Sequence, residues 1–201
     1  MVDAGIGRLL IASLHQGIAD VMPARLPFYE HWLTPPGLKN AKFGLAPLHA
    51  VLSFLRLEGR AAYDQTMTRA GRYTADWAYL ELGSGKRAVA RRLPTSLRAR
   101  WALSLSRRIV KQTFRGSAAR VHLRRGAGTV DIQGSIFCEL REAGEWPMCV
   151  FYCAVVEHFL LHFDIDVQAH VGECKAAGGG RCTMVVTILG TRTAQAAAET
   201  A

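Results

Sequence analysis

The chain has 201 residues, half of them apolar, 20% of them charged, with a formal net charge of +9. This composition excludes a disordered chain and sets the expectation of one domain with an N-terminal extension. Five cysteines without a recognisable export leader argue against a disulfide framework and for free thiols or metal ligands in the cytoplasm.

In chain order, residues 6–21 carry Leu9, Leu10, Leu14 and Ile18 at helical spacing, and Met22-Pro23 interrupts them. The stretch LTPPGLKNAKFGLAP is a loop by its prolines and glycines. Helical patterns resume over 47–57 and over 62–82, where Tyr63, Met67, Ala70, Tyr73 and Trp77 recur at three and four. Ser84-Gly85 is expected to end that segment. A further helix is expected over 95–114, with Leu97, Trp101, Leu105, Ile109 and Val110 on one side.

The period then changes. Val121 and Leu123 precede a Gly126-Ala127-Gly128 turn, and Val130, Ile132, Ile136, Cys138 and Leu140 alternate with polar residues. That pattern predicts a half-buried hairpin, with Cys138 filling space on the apolar face of its strand. Residues 148–163 are apolar on nearly every side and predict a buried helix packed on the sheet. Two more alternating runs, 167–171 and 182–189, flank the turn AAGGG at 176–180, and the tail is expected to fray. The fold class is therefore α+β: N-terminal helices on a small antiparallel sheet, with strand-strand-helix-strand-strand order in the C-terminal half. The expected organisation is an extension over 1–45, an α+β domain over 46–190 and a flexible tail over 191–201.

Charge is distributed unevenly. Residues 82–130 contain no Asp or Glu but hold thirteen Lys and Arg, while acids slightly outnumber bases elsewhere. Such a run reads first as a solvated helix face and second as a surface for an acidic partner. Nucleic acid is not expected, because Trp101 and Phe114 occupy core-like positions and not those of stacking platforms. The longest apolar stretch, 148–156, falls far short of the roughly 20 residues that span a bilayer. GSGKR at 83–87 lacks the length of a phosphate-binding loop, and the AAGGG turn sits in a hairpin, so neither predicts nucleotide binding.

The cysteines carry the remaining signal. Cys149 and Cys153 stand four apart on one helix face, whereas His158 and His162 share a face roughly opposite and read as hydrogen-bonded boundary residues. Cys174 and Cys182 flank a hairpin connection. Two hairpin thiols meeting a thiol at a helix N-terminus supply three of the four ligands of tetrahedral zinc. The fourth is left open between His170, Glu173, Cys153 and water.

The segment CVFYCAVVEHFLLHFDIDVQAHVGECKAAGGGRCTMVV, 149–186, resembles the 4-vinyl reductase domain, a predicted hydrocarbon-binding family. Its pattern is a cysteine opening an apolar helix, a strand ending in an acid and a cysteine, a glycine-containing turn and another cysteine before the last strand. The resemblance implies a fold like the TRAPP vesicle-tethering components and uses in phenol-sensing activators or bacteriochlorophyll synthesis. It also implies a structural zinc site at Cys149, Cys174 and Cys182. The chain departs from the family at Val171, where an acid normally completes the site, and at Ala154 and His158, where glycines are usual. His170, next in register to the missing acid, is the expected fourth ligand.

The resulting expectation is a non-catalytic domain, alone or as a homodimer or with a partner protein, that binds a small hydrophobic, aromatic or tetrapyrrole-like ligand. Trp77, Trp101, Phe137, Tyr152 and Phe159 are the candidate lining residues. An accessory protein or reductase of tetrapyrrole metabolism is the first alternative, and a protein-interaction module using the basic run is the second.

Overall fold

Small residues set the spacing of the helical layers. In the computed structural model, which describes residues 6–33, 44–124, 126–139 and 144–191, seven helices precede or interrupt four strands. They are α1 (Arg8–Val21), α2 (Leu26–Leu33), α3 (Leu45–Leu57), α4 (Arg60–Glu81), α5 (Ser84–Arg92), α6 (Thr95–Thr113) and α7 (Val150–Leu161). The strands are β1 (Ala118–Arg124), β2 (Ala127–Gln133), β3 (Ile165–Glu173) and β4 (Cys182–Thr191). A Cβ on Gly71 of α4 would lie 2.6 Å from the Phe151 carbonyl oxygen and 2.8 Å from the Ala154 Cβ, so α7 approaches α4 at a distance only glycine allows. On the other side, a Cβ on Gly17 of α1 would lie 2.8 Å from the Thr66 carbonyl oxygen of α4. Helices α1, α4 and α7 therefore stack in close layers.

All strand pairs are antiparallel, in the order β1-β2-β4-β3. Two hairpins thus join through their inner strands β2 and β4. Helix α7 lies between β2 and β3 in sequence and packs on β3, α4 and α6. Eight of its side chains are buried, including Phe151, Tyr152, Phe159 and Leu160, as an all-round apolar helix requires. Cys182, Met184 and Val186 alternate onto the buried face of β4. The architecture is the expected α+β one.

Several boundaries differ from the sequence expectation. The chain reverses at Gly83 and continues directly as α5, so Ser84-Gly85 begins a helix as well as ending the reach of the previous one. Helix α2 was not expected, because Pro27 sits where the periodicity breaks; proline is tolerated in a first helical turn. Helix α3 starts at Leu45, with Pro47 again in its first turn. The strand expected through Cys138 ends at Gln133. Gly134 has φ +60°, and a Cβ there would meet the Gly116 carbonyl oxygen at 2.5 Å. The left-handed turn diverts the chain into one 3-10 turn, Ile136–Cys138. Leu140 lies outside the described residues.

Leu10, Leu14 and Ile18 of α1 belong to the same hydrophobic cluster as α4, α7 and the sheet. The expected tail lies, beyond Thr191, outside the described residues, as does most of the expected 33–47 loop. Lys86, Arg91, Arg92, Arg100, Arg107 and Lys111 are exposed on α5 and α6. No described helix is long and apolar enough to cross a membrane.

Candidate metal centre

Four chain segments end at one place. Cys149 is the N-cap residue of α7, Cys138 closes the 3-10 turn after β2, Cys174 follows β3 and Cys182 opens β4. Their sulfur atoms all lie within 4.8 Å of one another. Cys138 Sγ is 3.2 Å from Cys149 Sγ, 3.3 Å from Cys174 Sγ and 3.5 Å from Cys182 Sγ, and Cys149 Sγ and Cys174 Sγ are 3.9 Å apart. Cys149, Cys174 and Cys182 are buried and Cys138 is half-buried, and all four are free thiols.

A zinc ion bound by four thiolates at about 2.3 Å requires sulfur pairs about 3.8 Å apart. The four separations run from 3.2 to 3.9 Å, so three of them would open by about 0.3–0.6 Å around the ion, and the donor set fits it in number and chemistry. Two polar groups contact the sulfurs: the Met148 N–H donates to Cys174 Sγ at 3.3 Å, and Ser135 Oγ lies 3.4 Å from Cys149 Sγ. Such outer contacts orient metal ligands. The Tyr63 hydroxyl donates to the Met148 carbonyl oxygen at 3.0 Å and so ties α4 to the start of α7.

The thiols already polarise one another. Side-chain contacts with Cys138, Cys149 and Cys182 hold Cys174 far below the ordinary thiol range, and contacts with Cys138 and Cys149 bring Cys182 down to about 7. Hydrogen bonding to Cys138, Cys174 and Cys182, together with burial, pushes Cys149 up. The hairpin pair Cys174 and Cys182 is thus lowered while Cys138 and Cys149 are raised, and a metal bound to all four would have to displace the protons of each. A metal ion held by all four sulfurs would have a closed tetrahedral shell.

The structure gathers Cys149, Cys174 and Cys182 but not His170. That residue is exposed on β3 opposite Val185, and Cys138 stands in the fourth position. In a regular strand His170 and Cys174, four apart, would share a face, but the β3–β4 register shifts between Val171 and Glu173, so alternation does not carry through to Cys174. Glu173 instead accepts the Gly180 N–H at 2.8 Å and pairs with Arg181 at 3.1 Å. Cys153 is one helical turn away, outside the cluster, and burial pushes its thiol up to about 12. Cys138 was missed because an uninterrupted strand would bury it as a core side chain; Gly134, in the sequence just after the alternating run, was the available signal for a turn.

The five candidate lining residues do not share one cavity. Phe137, Tyr152 and Phe159 are buried, and the Phe137 ring packs on Phe151 at 5.0 Å and on Tyr152 at 5.3 Å, filling the space between them. The Tyr152 hydroxyl is buried beside the side chains of Thr113, Ser117 and Ser135. Trp101 is half-buried with its ring edge-on to Phe163, and Trp77 is half-buried beside Tyr73 on α4. Phe159 lines a cleft of about 140 Å³ between α4, α5, α6 and α7. Its apolar walls come from Ala78, Leu82, Leu105, Ile109 and Phe159, and the polar residues Glu81, Lys86, Arg108 and Gln112 complete it. Of these polar four, Glu81, Lys86 and Arg108 are exposed, so they form the rim.

No family model matches the chain, and no curated protein matches it in sequence. Among solved structures, it is similar to a trafficking protein particle complex subunit 3 from Naegleria fowleri covalently bound to palmitic acid. That likeness has 14% identity, covers 90% of this chain and 97% of the other, and has a TM-score of 0.48. It is also similar to the phenol-responsive sensory domain of the transcription activator PoxR with phenol, at 15% identity over 73% of this chain and 75% of the other, with a TM-score of 0.49.

Proposed function

We propose that this chain is a non-catalytic ligand-binding or sensory domain stapled by a structural zinc ion. The observation that carries the zinc assignment is the convergence of four thiols from four segments within 4.8 Å. The ion would clamp both hairpins to the N-terminus of α7, and Cys138 replaces the acid expected from the family resemblance. Its energy would be folding energy, because no such site persists in the unfolded chain.

The ligand reading is supported by the cleft beside Phe159 and by the resemblance of the 149–186 segment. Sites for drug-sized molecules run to about 300–1,000 Å³, so a cleft of about 140 Å³ suits one aromatic ring and not a tetrapyrrole. Lys86 and Arg108 at the rim favour a phenolate or carboxylate over a neutral hydrocarbon. A ligand that prefers the folded state raises stability by about 2.7 kcal/mol at a hundred times its dissociation constant. Thermal melts with a panel of phenols and benzoates test this: a rise that Leu105→Trp abolishes supports the cleft, and no rise with any of them overturns it.

The exposed cations of α5 and α6, in a stretch free of Asp and Glu, favour a second role as a docking surface for an acidic partner protein. Association of this kind weakens as salt rises over the 0.05–0.5 M range, whereas association through an apolar homodimer face does not.

A further inference from the structure

The far end of α7 carries a second group of metal-ligating side chains. His158 and His162 stand four apart, so both project from the side of α7 that meets α4. Asp76 projects from α4 between them. His158 Nε2 lies 2.9 Å and His162 Nε2 2.7 Å from the same oxygen, Asp76 Oδ1. The two imidazole rings are 5.2 Å apart with planes at 75°, and His162 is held in place by stacking on Tyr79 at 4.4 Å and 8°. All three donors lie within 4.8 Å of one another. Their side chains are 28%, 28% and 37% exposed, so the group opens on solvent.

We propose that Asp76, His158 and His162 form a second, open metal site that takes a late divalent transition ion such as nickel or zinc. Two imidazoles at i and i+4 on a helix with a carboxylate from a neighbour are a chelating set for such ions. Metal–ligand bonds of about 2.0–2.2 Å place donors about 3 Å apart at right angles and about 3.4 Å apart in a tetrahedron, so the present N···O spacings of 2.9 and 2.7 Å would widen by a few tenths to about 0.7 Å as the side chains make room for the ion. Each Nε2 would exchange its bond to Asp76 Oδ1 for a bond to the ion, releasing any proton it carries. Stacking on Tyr79 lowers the ordering cost at His162, and the helix C-terminus nearby favours a cation. Three protein donors leave the remaining positions to water or to an anionic oxygen ligand, in contrast to the closed thiolate cluster. The two sites lie roughly 14–20 Å apart along α7 at 1.5 Å per residue, so they load independently.

The test is nickel titration of the zinc-loaded chain, followed by calorimetry, with zinc content measured in parallel. The wild-type chain takes up one further nickel ion at micromolar concentration and melts at a higher temperature with it. Asp76→Asn and His162→Asn, each zinc-loaded and checked for an unchanged circular dichroism spectrum before nickel is added, weaken that uptake tenfold or more while the zinc of the thiolate cluster stays the same. His158→Asn stands in for either variant that fails to fold. Cys138→Ser weakens zinc binding about a hundredfold but keeps nickel uptake, which separates this site from the thiolate cluster. Absence of the nickel equivalent in the wild type, or its persistence unchanged in the folded variants, overturns the assignment.

Discussion

Replacing Cys138 by serine removes the thiol closest to the other three while keeping its size. Cys138 Sγ lies 3.2, 3.3 and 3.5 Å from Cys149, Cys174 and Cys182 Sγ, so the loss strips one vertex from the tetrahedron. Apparent binding energies of structural zinc are about 10–16 kcal/mol, so an even share of four ligands gives a cost of roughly 3 kcal/mol. That corresponds to a loss of about a hundredfold in zinc affinity, at 1.4 kcal/mol per decade. For a domain of this size, 1 kcal/mol moves Tm by about 2–4 °C, so the variant melts about 6–12 °C lower. Elemental analysis and calorimetry read both effects, and a strong chelator, which strips the ion from both, removes most of the difference between them. Cys153→Ser is the control: its thiol is buried outside the cluster, so zinc content stays at one per chain while packing alone is perturbed. A wild-type protein free of zinc, with Cys138→Ser melting no lower than Cys153→Ser, refutes the reasoning.

Gly71→Val drives a side chain into the Phe151 carbonyl oxygen, which a Cβ alone would approach to 2.6 Å. Overpacking of this kind costs about 2–3 kcal/mol, read by urea denaturation, and the α4–α7 contact is wrongly described if the variant is as stable as the wild type. Tyr63→Phe removes the donor to the buried Met148 carbonyl oxygen; it lowers stability by about 1–2 kcal/mol and speeds zinc release measured with a colorimetric chelator. Asp20 is held below the ordinary carboxylate range by the Arg69 guanidinium at 2.6 Å and the Tyr73 hydroxyl at 2.7 Å, tying α1 to α4. Its folded value is lowered, so its stabilisation is present above the unfolded carboxylate value and is lost as pH falls through the folded one. Asp20→Asn is therefore less stable at neutral pH, and the gap closes below about pH 4; a gap independent of pH contradicts the ion pair.

Much of the architecture is legible in residue periodicity. The apolar spacing of 6–21, 62–82 and 95–114 marks α1, α4 and α6 to within two residues, because a helix that buries one face must repeat its apolar side chains at three and four. The all-round apolar 148–163 run marks α7 as buried, and the alternating runs mark β3 and β4. Helices α2 and α5 were not legible. Each is short, one carries proline in its first turn and the other begins with Ser-Gly, so their local signals read as breaks.

The candidate site divides along the same line. Three of its cysteines could be named from their places at element ends, since a thiol at a helix start and two beside a hairpin connection converge with little help from the rest of the chain. The fourth could not. Whether Cys138 or His170 completes the cluster depends on the left-handed turn at Gly134 and on the register shift in β3 before Glu173. Alternation predicts facing only while the strand stays regular, and each irregularity reverses the faces that follow it. In the same way, aromatic content announced an apolar core but not its gaps. The rings of Phe137, Phe151 and Tyr152 close on one another, and the cleft forms elsewhere, at the edge where four helices meet. Sequence periodicity determined most of the buried faces, because burial is a local demand on each element, although Leu97 on the expected apolar side of α6 and Leu189 near the end of β4 are exposed. Only the tertiary structure decided which buried residues touch, because contact between distant segments is set by the sum of every turn and bulge that lies between them.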